Sequence, residues 1–154
     1  MPNYYHGSPI LIDKSKDGCR YLETKFSKIL GGQKAVFATN SKEMAILFIP
    51  KWTDADIDFG TSNGVFYCME QYPGAFKLLK KSGYLYEVPT KPFKSDNRLG
   101  IKKHEFISKD KVKIAKYTKI KNAYKELEKS KDVVFISFKA KNEFVRQYIE
   151  ESKK

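Results

Sequence analysis

Arginine is scarce in this chain. Of 30 basic residues only Arg20, Arg98 and Arg146 carry a guanidinium, and the rest are lysine. Phosphate recognition favours arginine for its bidentate fork, so the lysine excess reads first as a solvated surface. Histidine is scarcer still, with His6 and His104 the whole supply. The two cysteines, Cys19 and Cys68, have neither CxxC spacing nor a histidine pair nearby. A zinc site and a disulfide framework are therefore both unexpected, which leaves two reduced thiols. No apolar run approaches the ~18 residues that cross a bilayer. The first residues lack the basic-then-apolar order of a signal peptide, so a soluble cytoplasmic protein with no membrane partner is expected. The phosphate-cradling GxGxxG and GxxxxGK[ST] loops and the GxSxG nucleophile elbow are missing too, which removes three standard routes to chemistry.

The sequence is not poor in material for a core. Apolar residues make up 41% and aromatics 14%, which excludes a disordered chain. A length of 154 residues fits one domain over 1–154 without disulfide support. The net charge of +12 is unevenly spread: residues 1–90 carry 11 basic against 9 acidic side chains, and residues 91–154 carry 19 against 9. The C-terminal part is the electropositive one, able to attract nucleic acid or a phosphorylated small molecule.

Strands and helices alternate irregularly. "NYYHG" reads as a short aromatic strand ended by Gly7 and Pro9. Residues 13–33 are polar, with a short helix expected around "YLETKFSKIL" before Gly31-Gly32. "KAVFAT" is a strand leading into "NSKEMAILFI", where Asn40 or Ser41 caps a helix with Met44, Ala45, Leu47 and Phe48 inward. "KWTDADIDFGTSNG" reads as an acidic loop. Its Asp54, Asp56 and Asp58 alternate as in a calcium loop, but the glycine and distal glutamate are out of place, and no metal is expected. "GYLYEV" alternates as a strand, "KPFKSDNRLG" is a loop, and "HEFISKDKVKIAKYTKI" supplies one or two strands. Asn122 caps a helix with Tyr124 and Leu127 inward, and "VVFISF" is a buried strand. "NEFVRQYIEESKK" is a last amphipathic helix with Phe144, Tyr148 and Ile149 on one face. Without strict βαβ alternation the expected class is α+β: a split, mostly antiparallel β core flanked by helices.

Two residues stand out chemically. His6 follows a strand at a turn, and with Ser8 it lacks the context of a catalytic triad. Glu105 opens "HEFIS", and period-2 alternation puts it on one face with Ile107. It is either a protective charge on an edge strand or a carboxylate held toward a pocket.

These segments, taken in order, resemble ADP-ribosyltransferases of the diphtheria-toxin and poly-ADP-ribose polymerase type. "HGS" is similar to the opening motif of that family, "KAVFATNSKEMAILF" to its second strand and helix, and "HEFISKDKVKI" to the strand that carries its acid. "GYLYEVPTKPF" is also similar to a segment of the small rifamycin-modifying members. The likeness covers a third to a half of the chain. It implies NAD as substrate, with ADP-ribose transferred to a protein, nucleic-acid or small-molecule acceptor. His6 would then hold the nicotinamide-side ribose, Gly7 would let the backbone clasp the carboxamide, and Ser8 would adjoin them. Glu105 would grip the ribose 2′-hydroxyl; Asp96, in the loop after Pro92-Phe93, is the other position for the acid. The family's two stacking tyrosines fall at Val36, beside Phe37, and at Leu47 or Phe48, which leaves stacking to Phe37, Tyr84 or Tyr86. These departures allow a second reading, a module of the same fold that holds NAD or nucleic acid without cleaving it. RNA 2′-phosphotransfer, a third activity of the superfamily, goes with a His/Arg cluster that three arginines hardly supply.

Overall fold

The NYYHGS segment forms a six-residue strand, β1 (Asn3–Ser8), in the computed structural model, which describes residues 3–62, 64–99, 103–141, 143, 147 and 151. KAVFAT forms β4 (Lys34–Thr39), whose β-branched and aromatic side chains suit a pleated, half-buried surface. GYLYEVP forms β7 (Gly83–Pro89), buried on both faces at Leu85, Tyr86 and Val88. With β3 (Lys25–Phe26) and β10 (Lys116–Ile120), they make an antiparallel sheet in the order β10-β7-β1-β4-β3. A further strand, β8 (Glu105–Ser108), pairs antiparallel with β4. The class is α+β with mostly antiparallel sheets, as the patterning indicates.

One break in this sheet matters most. β1 pairs with β7 from Asn3 opposite Pro89 to Ser8 opposite Tyr84. Against β4 it makes a single pair, Tyr5 opposite Thr39. β4 meanwhile pairs with β8 from Val36 opposite Ser108 to Thr39 opposite Glu105. Tyr5, Thr39 and Glu105 thus form one cross-strand row, and beyond it β1 and β4 part.

Helix α1 (Lys42–Leu47) lies over β1. Ser41, not Asn40, is its cap, and the Oγ accepts the Met44 N–H at 3.1 Å. Ser41→Ala should lower the unfolding free energy by about 1 kcal/mol, read as a lower denaturant midpoint at unchanged slope. Met44, Ala45, Ile46 and Leu47 are all buried, so the helix has no solvent face in its last turn. Below it sits a core of Ala45, Leu47, Ile49, Ile57, Leu79, Leu85 and Leu127. Leu127 comes from α2 (Ala123–Glu128), capped by Asn122 as expected, with Leu127 buried and Tyr124 packed against the cluster.

Several expectations give way. β1 runs through Gly7 to Ser8, so His6 lies within the strand and not at a turn after it. HEFISKDKVKIAKYTKI forms three strands (β8, Val112–Lys113 and β10), not one or two. The helix over residues 21–30 does not form; β2 (Tyr21–Leu22) pairs with β9 (Val112–Lys113), and β3 pairs with β4. Leu22, Phe26 and Leu30 have helical spacing, but Phe26 is 75% exposed, so that spacing marks no packed face. The acidic 51–64 segment is a loop only in its first half. Ile57–Ser62 is a strand, β5, turned by Gly64 (φ +78°) into β6 (Val65–Glu70), and β11 (Val133–Ile136) joins β6 in parallel. Neither β6 nor the 3-10 helix Ala75–Leu79 stands out in the sequence. β11 is less buried than its composition suggests, with only Ile136 fully covered. Residues 138–141 are helical, and the Phe144, Tyr148 and Ile149 face lies outside the described residues. Among the described residues no helix is long and apolar enough to cross a membrane.

Candidate functional site

A cleft of about 340 Å³ occupies the place where β1 and β4 part, a volume within the usual small-molecule range of ~300–1,000 Å³. His6 and Gly7 reach it from β1, Phe37 and Thr39 from β4, Glu105 from β8, and Ala45 and Phe48 from α1 and its end. Residues separated by almost a hundred positions meet here because β4 lies between β1 and β8. With strands about 4.8 Å apart, the Glu105 backbone lies roughly 10 Å from Tyr5, the neighbour of His6.

His6 spans the break. Its Nδ1 lies 2.6 Å from the Phe37 carbonyl oxygen, where the strands no longer exchange backbone bonds. A carbonyl only accepts, so Nδ1 carries the hydrogen, and the neutral ring presents Nε2 as an acceptor. Burial is the main influence on this group and lowers its pKa from 6.5; the bond to Phe37 opposes the shift, and Lys25 adds to it.

A stability prediction follows from that direction. The unfolded chain takes up a proton at its imidazole near pH 6.5, while the native ring resists it. The unfolded state therefore binds more protons below that pH, and stability falls as pH drops through the window. The slope from this one group is at most about 1.4 kcal/mol per pH unit. Between about pH 7 and pH 5 the urea midpoint should fall more for the native chain than for His6→Gln. Equal declines would show that His6 contributes nothing.

Gly7 has a steric reason independent of any ligand. A Cβ there would lie 1.9 Å from the Ala45 carbonyl oxygen and 2.9 Å from Ile49 Cγ1. The backbone of α1 packs directly on this residue.

The structure brings His6, Gly7, Phe37 and Glu105 together and leaves three other sequence candidates outside the cleft. Asp96 is held by Arg98, whose Nε and Nη2 donate to its two oxygens at 2.9 and 2.8 Å. Hydrogen bonds from Arg98 hold its carboxyl down at about 2. Tyr84 stacks beside Tyr86 and meets Tyr117 edge-on. Ser8 lines a second cleft of about 210 Å³, with Tyr21 and Lys25, which shares His6 and Phe37 with the first. Of the positions aligned with stacking tyrosines, Val36 and Leu47 are buried. Their neighbours Phe37 and Phe48 line the cleft, and Phe48 is braced by Trp52 and Phe59.

Tyr5, Ile29 and Thr39 also line the cleft without having been singled out by sequence. The signal for Tyr5 and Thr39 was strand register, which no local pattern reveals. Ile29 arrives on the loop that Gly31 and Gly32 turn at φ +67° and +86°. Asp56 is engaged by Thr53 and Tyr72, and among the described residues no three His, Cys, Asp or Glu side chains gather as a metal site. No family model, curated protein or solved structure matches this chain.

Proposed function

We propose that the cleft binds NAD and that the protein transfers ADP-ribose to an acceptor, releasing nicotinamide. One observation carries this reading. A neutral imidazole, the Phe37 and Phe48 rings and a carboxylate line the same cleft, in the chain order that the family resemblance implies. Phe37 and Phe48 suit the faces of a flat pyridinium ring. Nε2 of His6 suits a ribose hydroxyl, since its tautomer makes that nitrogen an acceptor.

The chemistry asked of the cleft is modest. The bond between nicotinamide nitrogen and ribose C1′ breaks, and its electron pair returns to the ring, which leaves neutral. C1′ gains oxocarbenium character until a lone pair on the acceptor forms the new bond. The acceptor's proton then passes to solvent or a base. Glu105 supplies negative charge close to the developing cation, where a partly dry cleft strengthens it. Asp96, committed to Arg98 outside the cleft, is the weaker choice for this role.

The test is nicotinamide release from NAD, followed by chromatography. Release above the protein-free blank is expected. NAD that binds, seen as a raised melting temperature, without release would instead favour the non-cleaving module. Neither binding nor release would end the transfer reading and the NAD-holding form of the module alike.

A further inference from the structure

A third concave surface lies on the far side of β7 from the main cleft. It is a groove of about 440 Å³ lined by Arg20, Lys113, Lys116, Tyr117 and Cys19. One of its cations is paired with a ring of the groove, and a second such pair lies just outside the lining. The Arg20 guanidinium lies 4.9 Å from the centre of the Tyr117 ring, and the Lys111 ammonium lies 4.5 Å from that of the adjacent Tyr21. Arg20 Nε also donates to the Ile12 carbonyl at 2.8 Å, which fixes the guanidinium in place. Six lysines against one acid, Asp110, fall between residues 109 and 121. Two further acids stand close: Asp17 accepts from the Tyr21 hydroxyl and the Cys19 N–H, and Glu87 lies 3.8 Å from Lys116. They leave the groove positive.

Lysines along an edge strand such as β10 are commonly protective charges. That explanation accounts neither for the concavity nor for the Tyr117 ring set under the Arg20 guanidinium. An exposed ring set among cations in a groove is what an unpaired base and its flanking phosphates require together. We propose that this groove binds single-stranded nucleic acid, with phosphates on Arg20, Lys113 and Lys116 and a base against Tyr117. Its position relative to the cleft adds meaning. Tyr117 stands opposite Tyr86, and Tyr86 opposite His6, so Tyr117 and His6 share one sheet row at roughly 10 Å. A strand held in the groove is thereby presented as the acceptor. That role rests on the function proposed above; the binding does not.

The experiment is fluorescence anisotropy with labelled 12-nucleotide single-stranded RNA and DNA of mixed sequence, alongside the matching duplexes, at several salt concentrations and without NAD. Single strands should bind more tightly than duplex. Lys113→Glu/Lys116→Glu should weaken binding more than tenfold, and its milder counterpart Lys113→Gln/Lys116→Gln should lower the salt slope by about 1.4, the share of two phosphate contacts. Tyr117→Ala should weaken it roughly tenfold. Lys77→Glu/Lys139→Glu, exposed lysines outside the groove, changes net charge equally and should stay within about twofold. Melting curves establish that each variant is folded. Absence of binding at low salt, equal losses in the two glutamate pairs, or duplex binding as tight as single strand and unaffected by Tyr117→Ala would each overturn the proposal.

Discussion

Glu105→Gln is expected to lower nicotinamide release from NAD by about 10²–10³-fold, the usual cost of removing one preorganised charge from a transition state. The substitution keeps shape and hydrogen-bonding capacity while removing the negative charge. NAD affinity should therefore change little, with the loss in kcat and not in KM. The position explains why so large an effect is expected from one strand-end carboxylate. Glu105 is the first residue of β8, sits opposite Thr39, and lines the cleft with the His6 ring. Asp96→Asn is the natural comparison, because that carboxylate is bound to Arg98 away from the cleft. It should leave turnover within about twofold. A reversed pattern, with Asp96 essential and Glu105 dispensable, would transfer the acid's role to the loop after Phe93.

Gly7→Ala should be the most damaging single methyl that can be added to this protein's site. The new Cβ would fall 1.9 Å from a carbonyl oxygen of α1, and that oxygen belongs to backbone, which cannot rotate aside as a side chain can. Overpacking costs ~1–3 kcal/mol in ordinary cores, and a backbone clash belongs at the upper end, about 3 kcal/mol. For a chain of this size that is a fall in melting temperature of roughly 6–12 °C. Gly64→Ala provides the contrast. No atom lies within 4 Å of its Cβ position, and only its φ of +78° resists, so it should cost about 1 kcal/mol. Gly7→Ala with an unchanged melting curve would mean that α1 does not sit on β1 as described. A glycine following His6 is consistent with ligand approach, but helix packing alone is sufficient to require it.

Much of the architecture is legible where neighbouring residues decide it. Alternation marks β7, aromatic and β-branched residues mark β1 and β4, and side-chain caps mark α1 and α2. Legibility fails where distant partners decide. Tyr21-Leu22 and Lys25-Phe26 are strands only because β9 and β4 lie alongside them. Ile57 and Phe59 alternate correctly, but Asp54, Asp56 and Asp58 disguise them as loop. The site divides the same way. His6, Gly7, Phe37 and Glu105 come from ordered motifs and meet in the cleft. Tyr84 has the right chemistry and a suitable strand, yet register places it opposite Ser8 and Lys119, among Tyr86 and Tyr117. The break between β1 and β4, which makes the cleft possible, has no signature in either strand's own residues.

A crystal structure of the protein with an unreactive NAD analogue tests the central claim most directly. The pyridine ring is expected between Phe37 and Phe48, with ribose hydroxyls on His6 Nε2 and the Glu105 carboxylate. An analogue bound elsewhere, with the β1–β4 cleft holding only solvent, would contradict it.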